Sequence, residues 1–364
     1  MERQLATVRR ISELRPIDGA DRIELAIVDG WQSVVKKGEF QAGDLACYLE
    51  VDSFLPLDDK YEFLRASSYR KMPGAGPGGV LEGFRLKTMK MRGEISQGLL
   101  LPLEQLPGSG EDGEDMAGFH YVHPVMRDQT YNRVREGADL TWRLCVVKYD
   151  QAVGRALAGT AKGNFPEFIP KTDEERIQNL GRLFHREIEG PLYVAEKLDG
   201  SSMTVYLKDG LFGVCSRNLD LAETEGSNFW KVARRLGLEA GMRGLRGMYN
   251  DFAVQGELIG PGIQGNKYGL LDHDFRVFSV FDVGNRTRLG LAATVSIAGA
   301  IGAETVPILD DSFSLPETAQ HMLAYAEGKS ALNSKTEREG VVVRSHCSQV
   351  SFKAISNKFL LKED

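Results

Sequence analysis

Cysteine and histidine are scarce, and no long apolar run is present. The four cysteines (Cys47, Cys145, Cys215 and Cys347) lie far apart, and none forms a Cys-x-x-Cys pair. That excludes a zinc ribbon and a disulfide frame. The six histidines show no metal-ligand spacing either. Positive charge is not in excess: 45 basic residues face 51 acidic ones, a net charge of −6. A uniformly basic nucleic-acid coat is therefore excluded, although a local basic groove is not. The most apolar stretch, Leu289 to Ala303, is diluted by Thr294, Ser296 and several glycines and is too short to span a bilayer. The beginning of the chain is charged throughout and does not read as a signal peptide. These absences predict a soluble, cytoplasmic protein with no membrane partner.

What is present is ordinary globular composition, 42% hydrophobic and 26% charged over 364 residues, a length that predicts two domains. The first half reads as β structure. Short apolar runs at Leu5–Leu14, Arg22–Val28, Trp31–Val35 and Leu45–Val51 are separated by the turn signals Asp18-Gly19, Asp29-Gly30 and Ala42-Gly43. This spacing predicts a small bent barrel rather than a parallel sheet. A Gly/Pro-rich loop, Pro73 to Gly79, then leads into a predicted strand carrying Arg85, Lys87, Lys90 and Arg92. Such a strand could bind phosphates without reading sequence; it could equally be an edge strand guarded by charge. Trp31 and Tyr48 are expected in the core. Gly108 to Asp115 reads as a solvated acidic loop. Residues 1–147 are thus expected as one domain, 148–170 as a linker and 171–364 as a second domain. At the start of the last, Thr172 and Glu175 form a potential capping box for a helix over Asp173–Leu183. Beyond it, strands alternate with a few helices, an α+β pattern.

The sharpest local feature is Lys197-Leu198-Asp199-Gly200 at the end of the apolar run Tyr193–Glu196. Alternation puts Lys197 and Asp199 on one face, beside a turn that backbone can approach closely. An amine is a nucleophile only when deprotonated. Partial burial near other cations would lower its pKa, as covalent lysine catalysis requires. By itself the tetrapeptide also fits a surface lysine and a turn. Other segments follow in order: Arg217 at a strand end, able to grip a phosphate; Glu257 inside an apolar strand, where an unpaired carboxylate is unfavourable; and Phe278 and Phe281 on an aromatic strand that could offer a ring to a purine. Last come Glu339 before a β-branched run and Lys353 on a strand near the end of the chain.

Lys197-Leu198-Asp199-Gly200, Arg217, Glu257, Phe278, Glu339 and Lys353 resemble the ordered motifs of the covalent nucleotidyltransferases, the ATP-dependent polynucleotide ligases and messenger RNA capping enzymes. Gly256-Glu257-Leu258 followed by Gly260-Pro261-Gly262-Ile263-Gln264 is similar to the ATP-dependent RNA ligases of the bacteriophage T4 RNA ligase 2 type. The barrel-like first half, together with Phe168 to Gln178, resembles the RNA ligases with an N-terminal OB domain, such as those of Deinococcus and Naegleria. The eleven residues after Lys353 leave no expected room for a further C-terminal domain. The fold implied is an OB-type β-barrel followed by a nucleotidyltransferase domain of ATP-grasp-like antiparallel sheets with helices.

The resemblance implies an ATP-dependent RNA ligase. Lys197 would attack the α-phosphorus of ATP, the AMP would pass to an RNA 5′-phosphate, and a 3′-hydroxyl would then seal the strand. Lys353 would hold the α-phosphate and Phe278 would stack on adenine; alternation places Phe281 on the opposite face, so both cannot do so, and the spacing of Phe278 from Glu257 is nearer the family's. Asp199, Glu257 and Glu339 would serve ribose or Mg²⁺ or Mn²⁺, directly or through waters. A nicked RNA duplex and a monomeric enzyme are expected. Two positions depart from the family pattern: Lys353-Ala354-Ile355 has one lysine where two are usual, with Lys358 the possible substitute, and Ser202 stands where Arg or Asn is common. The alternatives are a DNA ligase or capping guanylyltransferase, in which an OB domain normally follows the last motif, and a non-catalytic OB-fold nucleic-acid-binding protein.

Overall fold

The structure is a computed structural model describing residues 3–73, 79–106, 135–149, 161–185, 188, 190–347 and 350–362. The acidic tract Gly108 to Asp115 lies outside them, as do most of the Gly/Pro-rich loop and residues 150–160 of the expected linker. The chain divides into two units, Met1–Ala152 and Val153–Asp364.

Unit 1 is built from short antiparallel strands. β1 (Ala6–Arg10), β5 (Leu45–Leu49) and β11 (Leu99–Pro102) form one sheet, and β2 (Glu13–Pro16), β3 (Ile23–Val28) and β4 (Trp31–Lys36) a second. β12 (Val147–Lys148), β6 (Ser53–Pro56), β8 (Val80–Arg85) and β7 (Tyr69–Pro73) form a third, and β9 (Met89–Met91) and β10 (Glu94–Ser96) a hairpin. β3 and β5 are buried on both faces: alternation places Cys47 and Leu49 with Val8 in one cluster and Ala26, Val28, Ala46 and Tyr48 in another, while Leu25 and Ile27 pack with Ile17. Trp31 and Tyr48 are core residues, 1% and 0% exposed, with ring centroids 5.6 Å apart. The closed barrel expected from the spacing is not formed among the described residues: the sheets stay open. Isolated bonds join them instead of a continuous ladder, Gln97 N–H to the Gln32 carbonyl at 2.8 Å and Val34 N–H to Ser96 Oγ at 3.0 Å. Gly98 permits the turn between β10 and β11. Its φ is +76°, and a Cβ there would lie 2.4 Å from the Leu49 carbonyl oxygen.

Unit 2 holds two antiparallel sheets. The larger runs β13 (Ala161–Asn164), β17 (Leu219–Leu221), β16 (Leu211–Cys215), β15 (Ser201–Lys208), β18 (Phe252–Ile259), β19 (Asp274–Asp282) and β20 (Thr287–Arg288), with β21 (Glu304–Thr305) parallel to β19. The smaller runs β22 (Ile308–Phe313), β14 (Leu192–Lys197), β23 (Gly340–Ser345) and β24 (Ser351–Ile355). Helices α1 (Asn228–Arg235), α2 (Leu238–Gly244) and α3 (Leu291–Ala300) give buried residues to the core of the larger sheet, and α4 (Ala319–Ala326) to that of the smaller. A short helix, α5 (Asn357–Leu360), follows β24.

Two local expectations change. Part of the stretch expected as linker is strand, since β13 pairs with β17. The helix expected over Asp173–Leu183 is two short 3₁₀ turns, Ile177–Asn179 and Gly181–His185. The backbone before them is engaged elsewhere: Lys353 N–H donates to the Glu175 carbonyl at 2.8 Å, and Arg176 bridges to Lys353. Thr172 and Glu175 therefore form no capping box; the Glu175 carboxylate accepts from Arg176 N–H and from Asn179 Nδ2.

Candidate active site

Antiparallel register assembles the site. Lys197, the last residue of β14, pairs with Gly340 at the start of β23, which brings Glu339 alongside it. Lys197 Nζ donates to Glu339 Oε1 at 2.6 Å. From the larger sheet, β18 supplies Glu257, opposite Ser202 on β15 and Arg276 on β19. Gly200 makes the approach of the two sheets possible. A Cβ on it would fall 2.5 Å from the Leu258 carbonyl oxygen and 2.8 Å from Glu257 Cγ, so the fourth residue of the lysine motif has to be glycine for packing reasons. Asp199 is held by two neighbours: its N–H donates to Tyr268 Oη at 2.7 Å and its carboxylate pairs with Lys267.

The electrostatics differ from the sequence expectation. A lowered amine pKa is expected for Lys197, yet its pKa is raised. Burial pulls it down, but Glu339, Glu257 and Asp199 favour the ammonium more strongly. The carboxylates respond in turn. Glu257 is pushed up to about 8 by burial, opposed by Lys197 and reinforced by Glu339 and Asp199. Glu339 is also raised, by burial first, with Lys197 opposing. The site is self-neutralising as it stands, and the amine is protonated.

Lys353 and Arg217 flank this cluster. Their charges act on Glu339 and Glu257 respectively, and both reach Asp173, at 3.5 Å and 3.3 Å. Lys358 pairs with Glu327 at 2.8 Å on an exposed face. The two phenylalanines occupy different surroundings. Phe281 is buried with Ile169, Tyr206, Cys215 and Ala253, in the interior of the larger sheet. Phe278 is half-buried against Tyr193, Ala195, Leu198 and Tyr268, on the side of the lysine strand. A bulge separates them: Gln255 pairs with Ser279 and Gly256 with Val277, leaving Phe278 unpaired and free to turn inward.

The four basic candidates of unit 1 do not share one strand. Arg85 ends β8, where it pairs with Asp52 at 3.1 Å and lies over the Tyr149 ring. Lys87 follows β8. Lys90 lies on β9, in a separate sheet, and Arg92 occupies the turn after it.

Three contributors escape the motif reading. Lys267 sits on Asp199. Arg344 donates to the Phe278 carbonyl at 3.0 Å and to Glu174 Oε1 at 2.7 Å, with its guanidinium 5.6 Å from the Phe278 ring centroid. Burial raises the Glu174 pKa, but Arg344 and the Ser351 hydroxyl hold it below the ordinary carboxylate range. Glu174 belongs to a segment read as helix, and Arg344 to a run read as plain strand; only a buried charge at the end of Gly340–Arg344 hinted at a partner.

Among the described residues, no three His, Cys, Asp or Glu side chains converge closely enough to ligate one ion directly. The donor set is nevertheless hard oxygen, and the upward-shifted Glu257 would be relieved by a nearby cation. Asp199, Glu257 and Glu339 therefore fit a hydrated divalent ion held through waters, as Mg²⁺ is commonly bound.

Comparison with known proteins now decides the family. An OB-fold domain profile matches residues 5–103 and an RNA ligase profile residues 190–355. The chain is 37% identical to a mutant Naegleria gruberi RNA ligase solved with ATP and Mn, covering 98% of each chain at a TM-score of 0.83. It belongs to the RNA ligase family. The same Naegleria gruberi ligase with PPi is 38% identical, covering 99% of this chain and 98% of that one at a TM-score of 0.82. Another mutant of it, with AMP and Mn, is 39% identical over 98% of each chain, also at 0.82. No curated protein matches. Among the described residues no helix is long and apolar enough to cross a membrane.

Proposed function

We propose that this RNA ligase uses ATP to join RNA 3′-hydroxyl and 5′-phosphate ends through a covalent lysyl-AMP on Lys197. The observation that carries the reading is the Lys197 amine at the end of β14, hydrogen-bonded to Glu339 at 2.6 Å and facing Glu257 and Asp199. Three reaction steps follow from phosphoryl-transfer chemistry. The Lys197 nitrogen, once it has passed a proton to Glu339, attacks the α-phosphorus of ATP; a P–N bond forms as the P–O bond to pyrophosphate breaks. An RNA 5′-phosphate oxygen then takes the AMP, restoring the lysine and leaving an AppRNA end. Finally the 3′-hydroxyl attacks the RNA 5′-phosphorus and AMP leaves.

Glu339 suits the proton-acceptor role because it touches the amine and its raised pKa brings it closer to that of the donor. Lys353 and Arg217 are the phosphate-holding cations, displaced from Asp173 by the nucleotide. Phe278, on the bulge facing β14, stacks on adenine, while Phe281 is structural. Asp199, Glu257 and Glu339 would hold a divalent ion, Mg²⁺ or Mn²⁺, which would supply neutralisation of phosphate charge. Residues 1–147 supply a nucleic-acid surface including Arg85, Lys87, Lys90 and Arg92, and residues 171–364 the catalysis. The substrate is a nicked duplex and the enzyme acts as a cytoplasmic monomer.

Labelled ATP with Mg²⁺ tests the first step: a denaturation-stable adduct should form and vanish in Lys197→Ala. An adduct from GTP alone would favour capping chemistry, and none from either nucleotide a binding protein. Equal sealing of an all-DNA nick would refute RNA specificity.

A further inference from the structure

Lys267 lies between β18 and β19, outside every motif, yet its ammonium reaches the Asp199 carboxylate two residues beyond the nucleophile. It is not a wandering surface lysine. Its carbonyl oxygen accepts from Asn333 Nδ2 and from Thr336 Oγ1, both at 2.9 Å. Its ammonium also stands 4.1 Å from the centroid of the buried Phe359 ring on α5. The loop carrying Asn333 and Thr336 is itself fixed to the nucleophile strand, because Ala331 N–H donates to Glu196 Oε2 at 2.7 Å. Two of the three carboxylates thus hold an ammonium in the free enzyme: Lys197 on Glu339 and Lys267 on Asp199.

We propose that Lys267 is the resident counter-ion of Asp199 and that a divalent cation arriving at these carboxylates must displace it, so that Lys267 sets how tightly the free enzyme binds metal. The inference rests on the reading of Asp199, Glu257 and Glu339 as the metal-holding set. A hydrated dication beside Asp199 and an ammonium on the same carboxylate repel each other, and only one of them can take up its charge in full. The Phe359 ring gives the displaced ammonium a place to remain, since a cation over an aromatic face needs no anion. Metal entry therefore releases one ion pair without expelling the side chain from the site.

Mn²⁺ titration of the nucleotide-free full chain, followed by the electron paramagnetic resonance signal of unbound Mn²⁺, tests the proposal. Lys267→Met and Lys267→Gln should each bind Mn²⁺ about tenfold more tightly than wild type, toward the low end of coupling through a shared group. Lys335→Met, which removes an exposed charge from the clamping loop, should leave the affinity unchanged. Unchanged or weaker binding in both Lys267 variants would overturn the idea, as would equal tightening in Lys335→Met. Asp199→Asn separates the two levels. Wild-type affinity in that variant removes the metal reading and this proposal with it; lost affinity there with no change in Lys267→Met removes the proposal alone.

Discussion

Replacing Glu257 by glutamine should stabilise the protein, and increasingly so as the pH rises. In the unfolded chain this carboxyl titrates near 4.5, whereas in the folded site it titrates at about 8. Below pH 4.5 it is protonated in both states and folding is unaffected. Between 4.5 and 8 the unfolded state ionises while the folded state does not, so stability falls with pH; above 8 the whole penalty is present. That interval corresponds to an upper bound of about 5 kcal/mol. The side chain keeps some contact with solvent and faces the Lys197 ammonium, so about 2 kcal/mol is the working expectation. In a domain the size of unit 2 this is a rise of roughly 4–8 °C in its melting transition. Calorimetry of both proteins at pH 5, 7 and 9, in chelator and without nucleotide, reads it directly. The two should nearly coincide at pH 5 and diverge by pH 9, while the variant loses adduct formation. A stability difference independent of pH would refute the reasoning, because burial of an ionisable group is the only proposed cause.

Three further perturbations follow from the same geometry. Arg344→Lys should raise the KM for ATP in adduct formation more than it lowers kcat, because lysine cannot bond Glu174 and the Phe278 carbonyl together; equal loss in both constants would mark Arg344 as merely structural. Gly200→Ala should destabilise unit 2 by about 1–3 kcal/mol through overpacking and abolish the adduct, since the added Cβ meets backbone at 2.5 Å; urea unfolding with wild-type stability would contradict this. Arg85→Ala with Lys87→Ala should weaken strand sealing and its salt dependence while leaving adduct formation intact. If both steps fall together, the loss of the Arg85–Asp52 pair has damaged folding instead.

What the sequence made legible follows from period and chemistry. The strands around the site were readable because β14, β15, β18 and β23 are apolar runs bounded by turn residues, and charged residues embedded in them stand out. Asp173 to Leu183 satisfies helix-start rules locally yet forms only two short 3₁₀ turns, because the backbone at Glu175 and Arg176 is bonded to β24, more than 170 residues away; tertiary pairing overrides local preference. The four basic residues from Arg85 to Arg92 looked like one strand because nothing in their spacing marks the break between β8 and β9. Phe278 and Phe281 do face different surroundings, but a bulge contributes to that arrangement, and a bulge leaves no signature in simple alternation. Lys267 was invisible for a different reason: it is an ordinary loop lysine until folding places Asp199, Asn333, Thr336 and Phe359 around it.

The direction of the Lys197 shift has a consequence for the order of events. A lysine surrounded by cations would be reactive at all times and open to any electrophile. Here the amine is instead held protonated by Glu339, with Asp199 neutralised by Lys267 and Glu257 shifted upward. Each of these balances would be disturbed by the same event, the arrival of a nucleotide carrying its own negative charge together with a divalent cation. On the proposed reading, such a cation would compete with both ammonium groups for the carboxylates, while the phosphates would draw Lys353 and Arg217 away from Asp173. Loss of carboxylate charge around Lys197 would lower its pKa, because the carboxylates are what raise it in the free site. Substrate binding would thereby generate the proposed nucleophile. The amine would become reactive only when its target is in place, and the carboxylates would serve as a brake in the free enzyme and as a metal platform in the loaded one.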